Sequence, residues 1–418
     1  MNQIVHEFLV RHGMQPERVQ PDVCAVKMRE CLEEGLRREG NTVPMIPTYL
    51  RADGAIRPGF SAAVIDAGGT NFRCGLVTFT EDGYEVSGLR KALMPGIDRS
   101  ISWEEFISFV ADAVAPLLSE TDCIGFCFSY AAVIQPDIDG RVIRVDKEVV
   151  ITGCEGKLVG ASLKEELARR GITGKSVVIV NDTAAVLLGI SATLDHSLYS
   201  GFIGQVSGTG TNTCCILPEN RIEKLGSQRE DGVIVNLESG LYDGLPLGDF
   251  DRQVDEESTN RGFKYLEKMT AGVYLGELAR LMVLSAAEEG CVSPACGEAV
   301  RALGRFDASV VDGWACGEVP DGLSVEDQTF MQELALAIFD RSARCMCTNL
   351  LAIVLLTGEG TEKPVCVCAE GSLVQKSRVY RPLLEGYLAQ YAPGRRIVMT
   401  VGNDVTLPGS AAAALLNR

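Results

Sequence analysis

The chain has 418 residues, more than one ordinary hydrophobic core accommodates, which favours two or three domains. Its composition, 46% hydrophobic and 23% charged, is that of a globular protein and excludes a disordered or fibrous chain. The net charge of −17 argues against nucleic acid and anionic membranes as partners, because long-range repulsion would oppose both. A single phosphate donor stays compatible with this charge, since backbone N–H groups and magnesium supply a local positive field.

Targeting and metal signals are weak in this sequence. The N-terminal segment MNQIVHEFLVRHGM is too short and too polar for a signal peptide, and the longest apolar run, Leu350 to Leu356, is far short of the roughly 20 residues of a membrane span. We therefore expect a cytoplasmic protein without a membrane anchor. The fifteen cysteines then carry reduced thiols, and their CxC pairs and the three scattered histidines do not have the spacing of a zinc site.

The predicted elements alternate between helices and strands, which indicates an α/β fold. In chain order they are a helix over 20–40, strands over 60–66 and 73–80, a strand after the turn at 81–83, a helix over 103–118, a strand over 122–128, a helix over 161–170 and a strand over 176–180. They continue with a strand over 201–206, a helical region over 263–289, a long helix from Ser324 toward Leu355, strands over 365–369 and 397–401, and a helix over 410–416. An apolar strand followed by a Gly/Thr turn occurs twice, at 62–70 and at 201–211, which predicts two α/β lobes.

The first of these turns is Asp66-Ala67-Gly68-Gly69-Thr70-Asn71, here called the first glycine loop. Two glycines let the backbone approach a ligand closely and turn several N–H groups toward it. Thr70 adds a hydroxyl donor, and Asp66 is suited to hold magnesium through water. A plain β-hairpin turn is the competing interpretation, and this segment alone does not favour phosphate binding over it.

The second turn, Ser207-Gly208-Thr209-Gly210-Thr211-Asn212, is here called the second glycine loop. It repeats the same device after another buried strand, and the pair favours phosphate binding more than either loop alone. Neither loop has the spacing of a P-loop or of a dinucleotide-binding fingerprint.

Asn181 and Asp182 stand at the end of the apolar strand 176–180. A carboxylate at the tip of a buried strand is well placed to accept a hydroxyl proton from a substrate. A helix cap for residues 183–190 is the competing interpretation. Glu238 and Glu267 are similarly ambiguous, and Glu267 alone reads as a solvated helix residue.

Taken together and in this order, these segments resemble the hexokinase family over roughly residues 25–416. The matching motifs are SAAVIDAGGTNFRCGLVTF, GFCFSYA with Asp146-Lys147, VIVNDT, GTGTN, VNLESG, YLEKMTAGVYLGELARL and AEGSLVQK. Any one of them is weak, but seven in the family's order are specific.

The resemblance implies a two-lobed, actin-like ATPase (ribonuclease H-like) α/β fold with a sugar cleft. The small domain would hold residues 60–180 and 404–418, and the large domain residues 1–59 and 181–403. It implies an ATP-dependent hexokinase that phosphorylates the 6-hydroxyl of a hexose, with glucose as the first expectation and Asp182 as general base. ATP and Mg²⁺ would be the cofactors, and the protein would act in the cytoplasm as a monomer or homodimer in carbohydrate phosphorylation.

Carried over residue by residue, the family's motifs also imply the binding residues. The sugar site would be lined by Ser129, Asp146, Lys147, Asn181, Asn212, Glu238 and Glu267. The nucleotide site would use Asp66, Gly68, Gly69, Thr70, Asn71, Arg73, Gly208, Thr209, Gly210, Gly371, Ser372 and Lys376.

The sequence departs from the family's pattern at four places. Ser-Phe-Pro becomes Ser129-Tyr130-Ala131, Asp146 stands where the family has Thr, Glu370 replaces an Asp, and the last glycine-rich loop becomes Gly402–Gly409. These changes leave two other hypotheses open. One is a kinase of fructose, mannose, an amino sugar or another polyol, and the other is a non-catalytic sugar sensor on the same scaffold.

Overall fold

The computed structural model describes residues 2–52, 54, 56–145 and 149–417. Its helices are α1 (Gln3–Arg11), α2 (Pro21–Arg37), α3 (Trp103–Val114), α4 (Val159–Arg169), α5 (Asp182–Ser191), α6 (Asp249–Glu257), α7 (Tyr265–Thr270), α8 (Gly272–Glu288), α9 (Pro294–Leu303), α10 (Ala308–Ala315), α11 (Val325–Thr357), α12 (Ser372–Lys376), α13 (Tyr380–Tyr391) and α14 (Thr406–Leu416). Its strands are β1 (Ile46–Arg51), β2 (Ser61–Ala67), β3 (Asn71–Thr80), β4 (Gly83–Leu93), β5 (Ile101–Ser102), β6 (Cys123–Phe128), β7 (Ala131–Ile134), β8 (Gly140–Arg144), β9 (Ile151–Thr152), β10 (Ser176–Val180), β11 (Gly201–Ser207), β12 (Thr211–Pro218), β13 (Gly232–Asn236), β14 (Val365–Glu370) and β15 (Ile397–Val401).

Two large sheets organise the described part of the chain. One has five strands in the order β10-β6-β2-β3-β4, and the other has six in the order β1-β13-β12-β11-β14-β15. β2, β6 and β10 run parallel, whereas β2 and β3 form an antiparallel hairpin, as do β11 and β12. The sheets fall on either side of the predicted domain division, which itself stays a prediction.

Each sheet has its own apolar core, and a third core lies between the sheets. The third core contains apolar residues of β2, α5, β11, β14 and α14. α14 packs against α5, β2 and β6, so the last helix of the chain closes the junction between the two halves. The junction therefore sets how the ends of β2, β10 and β11 lie relative to one another.

Several predicted boundaries differ from the observed ones, each for a local reason. The helix predicted over 20–40 ends at Arg37, and the helix predicted over 410–416 begins at Thr406, with Pro408 tolerated in its first turn. The region predicted as helical over 263–289 is two helices, because Ala271 has extended backbone (ψ 143°). This break lets the Gly272 N–H donate to the Gly208 carbonyl at 2.8 Å, which ties α8 to the second glycine loop.

The structure also bears on the predictions about the cysteines, metal sites and membrane spans. All fifteen cysteines are free thiols, and most are buried. Within the described ranges, no three histidine, cysteine or acidic side chains are grouped so as to hold a metal ion. None of the helices described combines the length and apolar character that crossing a bilayer requires.

Candidate functional site

The first glycine loop is a β-hairpin turn between β2 and β3. The Gly68 N–H donates to the Asn71 carbonyl at 3.1 Å, and the Tyr130 hydroxyl donates to the Gly68 carbonyl at 2.7 Å. Thr70 is exposed at the tip, and its hydroxyl accepts a hydrogen bond from the exposed Asn71 amide at 3.2 Å. The Tyr130 side chain thus supports the hairpin, and the tip of the hairpin is exposed.

A chain of ion pairs fixes the base of this loop. The Arg73 guanidinium donates from Nε and Nη2 to one oxygen of Asp66, at 2.9 and 2.6 Å, and from Nη1 to Asp404 at 2.9 Å. The Asp66 side chain is almost buried, and burial raises its pKa against the opposing effect of Arg73. The nearby Asp182 charge raises the pKa of Asp66 further, which shows that the two carboxylates share one environment.

The second glycine loop is also a hairpin turn, between β11 and β12, but backbone groups hold it. The Gly208 N–H donates to the Gly210 carbonyl at 3.0 Å, while the Gly208 carbonyl accepts from Gly272. Gly371 lies directly against the loop with φ 122°, and a Cβ there would stand 2.3 Å from the Ser207 carbonyl oxygen. Only glycine therefore lets the end of β14 approach the loop this closely.

Asn181 and Asp182 begin α5 at the carboxyl end of β10. The Asn181 side chain caps the helix by accepting the Thr183 N–H at 2.9 Å, and Asp182 is the first helical residue. One Asp182 oxygen accepts the same N–H at 2.7 Å and the Thr183 hydroxyl at 3.2 Å. The capping interpretation thus holds for Asn181, and Asp182 is half-buried beside it.

Parallel strands bring Asp66, Ser129 and Asp182 to one edge of the five-stranded sheet. Cys127 of β6 lies opposite Asp66 of β2 on one side and Val180 of β10 on the other. The Ser129 N–H donates to the Ala67 carbonyl at 3.3 Å, which holds Ser129 next to the first glycine loop. The predicted residues Asp146 and Lys147 lie outside the described residues and stay predictions.

Asn212 and Glu238 belong to a small polar cluster at the ends of β12 and β13. The Asn212 amide donates to Asn236 at 2.8 Å and to a Glu238 oxygen at 3.3 Å, and the Asn236 amide donates to the same oxygen at 2.7 Å. Glu238 has left-handed backbone with φ 58°, uncommon for a residue with a side chain and often stored at functional sites. Burial raises the pKa of Glu238, opposed by the Asn236 hydrogen bond and by the Lys264 charge.

Glu267 lies on α7 and connects this cluster to the second glycine loop. Its Oε2 accepts the Thr211 N–H at 3.1 Å, and its Oε1 accepts from the Lys264 ammonium at 3.1 Å. A Cβ on Gly210 would stand 3.0 Å from the same Oε2. Glu267 is therefore a part-buried site residue and not a solvated helix residue. Its neighbour Lys268 is structural, because its buried ammonium binds Asp255.

Three more of the predicted nucleotide-binding residues lie on α12 or directly before it. Gly371 precedes this helix and Ser372 opens it, with the Ser372 amide nitrogen 3.4 Å from where a Cβ on Gly208 would lie. Lys376 is exposed at the far end of the same helix. The Glu370 carboxylate accepts the Asp404 N–H at 3.0 Å, so the Gly402–Gly409 segment binds both glycine-loop regions.

Sequence reasoning missed four residues of this site. Asn236 belongs to the VNLESG motif and lies two positions before Glu238, which is a usable signal. Tyr130 and Asp404 stand at positions that depart from the family's pattern. Lys264, with φ 60°, carried no signal in the sequence, because its position beside Glu267 depends on a left-handed turn before α7.

The chain is similar in sequence to known proteins over most of its length. Sequence models of the hexokinase family match residues 5–192 and 202–416. Hexokinase-1 of Saccharomyces cerevisiae is 31% identical over 278 residues, covering 62% of this chain and 56% of that protein. Human hexokinase HKDC1 is 29% identical over 420 residues, covering 92% of this chain and 45% of its own length. The chain thus spans about half the length of these curated relatives.

The solved structures show the fold. Schistosoma mansoni hexokinase, in a complex with glucose, superimposes with a TM-score of 0.78 at 22% identity and 99% coverage of both chains. This likeness confirms the two-lobed, actin-like ATPase fold that the sequence predicted. Because the second family model alone matches residues 202–416, just over half of the 418-residue chain, the chain belongs to the hexokinase family.

Proposed function

We propose that this protein is an ATP-dependent hexokinase that phosphorylates the 6-hydroxyl of a hexose, with Asp182 as general base. The observation that carries the proposal is the position of Asp182. It opens α5 at a sheet edge, shares its surroundings with Asp66 of the first glycine loop, and is close enough to Glu238 of the polar cluster to raise the pKa of that carboxyl.

The polar cluster suits recognition of a polyol. A sugar hydroxyl both donates and accepts, so it needs carboxylate oxygens and amide groups held at fixed positions. Asn212, Glu238 and Glu267 provide these groups, and each already has a partner that fixes its orientation. Ser129 and Asn181, at the carboxyl ends of strands of the five-stranded sheet, would add to these sugar-binding groups.

Asp182 would accept the proton of the 6-hydroxyl as that oxygen attacks the γ-phosphorus in line. Such a base typically contributes about 10²–10⁴-fold to the rate. Its second task is placement, because phosphoryl transfer depends mostly on positioning and on electrostatic stabilisation of the transferring group. The Thr183 N–H and hydroxyl hold one Asp182 oxygen in a fixed direction.

The two glycine loops suit the phosphate chain of the donor. Gly208 and Gly210 leave the backbone of the second loop uncovered by side chains, Gly371 lets the end of β14 approach that loop, and Arg73 supplies a cation at the base of the first. A cavity of about 420 Å³ is lined by Val273, Arg305, Phe306, Asp307 and Val310, and Val273 follows Gly272, whose N–H donates to Gly208 of the second loop. Its apolar walls suit the planar base of a nucleotide whose phosphates reach the loop.

Magnesium fits this arrangement as a partner of the phosphates. Mg²⁺ keeps several waters and is usually bound through one or two carboxylates plus substrate phosphates. Asp66 has one oxygen committed to Arg73, which leaves its carboxylate able to hold Mg²⁺ through water. When bound with ATP, the ion would neutralise charge on the transferred group.

Glucose is the proposed hexose, although the Ser129-Tyr130-Ala131 sequence departs from the family's pattern at the proposed sugar site. Ala131 stands where the family has a proline, so this segment lacks a rigid proline turn, and Tyr130 braces the first glycine loop. Fructose, mannose and an amino sugar are therefore alternative substrates. The cytoplasm is the proposed location, and a monomer or homodimer is the proposed assembly.

The test is an ADP-release assay with MgATP and each sugar in turn. We expect release that depends on sugar and is fastest with glucose. ADP release with another hexose but not with glucose would show that the other hexose, and not glucose, is the substrate. Sugar binding without ADP release for any sugar would overturn the kinase and favour a sensor.

A further inference from the structure

A group of buried polar side chains lies behind the second glycine loop, and the proposed reaction gives it no task. It is here called the inner polar group, and its members come from two strands and two helices: Gln205 and Ser207 of β11, Thr213 of β12, Ser342 and Asn349 of α11, and Tyr380 of α13. Each of these residues has at most 1% of its surface exposed. Bulk solvent therefore does not reach the group, although Ser207 is itself the first residue of the loop.

Strand pairing brings one end of this group together. Gln205 and Ser207 are two positions apart on β11, so their side chains point to the same face of the sheet. Thr213 lies directly opposite Gln205 in the antiparallel pair of β11 and β12, which puts its side chain on that face as well. The Asn349 amide donates to the Thr213 hydroxyl at 3.1 Å, and α11 therefore packs over this face.

Tyr380 closes the other end of the group. Burial raises the pKa of its hydroxyl, and the hydroxyls of Ser207 and Ser342 lie close enough to oppose that effect. Ser342 and Asn349 are both on α11 and are separated by about two helical turns, so they lie on the same side of that helix. One face of α11 thus spans the group from Thr213 to Tyr380.

Six side-chain atoms of the inner polar group make no hydrogen bond to any described residue. They are the amide nitrogen and oxygen of Gln205, the amide oxygen of Asn349, and the hydroxyls of Ser207, Ser342 and Tyr380. Folded proteins seldom leave such atoms unpaired, because a buried polar group then loses its hydrogen bonds to water without replacement. Six of them in one place point to a polar ligand that the group binds.

The mixture of donors and acceptors identifies the class of ligand. The Gln205 amide nitrogen only donates, the amide oxygens of Gln205 and Asn349 only accept, and each hydroxyl does both. A cation would leave the amide nitrogen without an acceptor, and an anion would leave the two amide oxygens without a donor. Neither charge would be balanced, because the members of the group are all neutral. Water donates and accepts, and it is the ligand that satisfies both kinds of atom.

We infer that the inner polar group is a binding site for internal water, and that this water positions the second glycine loop for the phosphates of the nucleotide. The inference rests on the proposed function, because it names a support of the proposed phosphate site. Ser207 opens the loop, and its carbonyl oxygen would stand 2.3 Å from a Cβ on Gly371. Water bound to the Ser207 hydroxyl therefore acts on the residue where the loop meets the segment that leads into α12.

The end of the group toward the proposed sugar site is held differently, by direct hydrogen bonds. The Thr213 hydroxyl donates to the Ser239 hydroxyl at 2.9 Å, and the N–H groups of both residues donate to the Asn212 side-chain oxygen at 2.7 and 3.3 Å. Asn212 thus keeps its orientation without water. Disturbing the water should consequently weaken nucleotide binding and leave sugar binding nearly unchanged.

The first measurement is a crystal structure of the wild-type protein at a resolution that shows ordered waters. We expect at least one water at about 2.7–3.2 Å from both the Tyr380 hydroxyl and a second atom of the inner polar group. Direct hydrogen bonds among these side chains, with no ordered water between them, would overturn the inference.

Tyr380→Phe and Gln205→Met remove polar atoms from the group and nearly conserve side-chain volume. If water is bound, each variant leaves it short of a partner, and we expect Tm to fall by about 1–3 °C. If the group is dry, each variant removes an unpaired buried atom and Tm should rise. The sign of the change in Tm therefore distinguishes the two cases without any need for catalysis.

The same two variants test the positioning of the loop. We expect the KM for MgATP to rise about 3- to 10-fold, with kcat within about threefold and glucose affinity, measured by calorimetry without nucleotide, within about twofold. Tyr391→Phe is the matched control, because Tyr391 is on the same helix and its hydroxyl accepts from Arg344 at 3.3 Å, outside the group. This control should keep the wild-type KM for MgATP.

A higher Tm in both variants would overturn the water site. Ordered water with an unchanged KM for MgATP in both variants, or an equal loss of glucose affinity, would overturn the positioning role, because the group would then serve stability alone. A wild-type protein that shows the water and the lower Tm of the variants but releases no ADP with any sugar would refute the proposed function and leave the water site standing.

Discussion

The two glycine loops have similar sequences and hairpins but are held by different forces. The first is fixed by charged side chains, in which Arg73 joins Asp66 of β2 to Asp404 near the end of the chain. The second is fixed by backbone hydrogen bonds and by the close approach of Gly371 to Ser207. The first loop should therefore respond to charge and pH, whereas the second should respond to added volume.

The largest expected effect concerns Asp182, which lies between the two glycine loops in the sequence and belongs to neither. Asp182→Asn keeps the shape of the side chain but removes the proposed base, so we expect kcat to fall by about 10²–10⁴-fold. Glucose binding measured without nucleotide should change little, because the amide oxygen can still accept from Thr183. Wild-type turnover in this variant would remove Asp182 from the role of base.

Arg73→Leu tests the charged anchoring of the first loop. Removing one partner of a nearly buried ion pair leaves Asp66 uncompensated, at a cost of about 3 kcal/mol in the free energy of unfolding. Urea denaturation measures this loss. The double variant Asp66→Asn with Arg73→Leu should recover most of it, and failure to recover would show that Arg73 contributes through packing.

The same variant has a defined pH dependence. Burial already raises the pKa of Asp66, and loss of Arg73 raises it further. A group with a raised pKa in the folded state binds more protons there than in the unfolded state, so its contribution to stability is lost as the pH rises through that pKa. The deficit of Arg73→Leu should therefore shrink as urea denaturation is repeated from about pH 7 down to about pH 5. A deficit independent of pH would contradict the charged anchoring.

Gly371→Ala tests the second loop by volume. The added Cβ would stand 2.3 Å from the Ser207 carbonyl oxygen at φ 122°, and we expect a loss of about 2 kcal/mol. Gly208→Ala is the matched comparison, because its Cβ would make an ordinary contact at 3.4 Å with the Ser372 nitrogen. Similar thermal stability of the two variants would show that the close approach at Gly371 does not matter.

The smallest effect is expected at the exposed end of the ion-pair chain. Asp404 is 70% exposed, so its pair with Arg73 is screened by solvent and Asp404→Asn should cost less than about 1 kcal/mol. Urea denaturation at low and at high salt should give the same small difference or less. A loss as large as that of Arg73→Leu would mean that Asp404, and not Asp66, anchors the first loop.

The sequence predicted the parts of this molecule that local patterns determine. The bounds of β10 and β15 were predicted residue for residue, and both glycine loops follow buried strands as expected. Asn181 and Asp182 were placed correctly at a strand end, although which of them caps α5 was open. The repeated strand and Gly/Thr turn predicted two α/β lobes, whereas the actin-like fold came from the resemblance, since no single motif specifies it.

The rest depends on contacts between distant segments. Arg73 and Asp404 are 331 positions apart, and no periodicity joins them. The break at Ala271 is accompanied by a hydrogen bond from the Gly272 N–H to Gly208, in the distant turn between β11 and β12. Such pairings are set by tertiary packing and override the local preferences of the residues involved.

The proposed function predicts one product most directly, a hexose phosphorylated at carbon 6. Phosphorus and carbon NMR of glucose incubated with MgATP and the wild-type protein would identify the position of the new phosphate. We expect glucose 6-phosphate and ADP in equal amounts, formed much more slowly by Asp182→Asn. ADP without sugar phosphate, or a phosphate on another carbon, would contradict a 6-hydroxyl activated by Asp182.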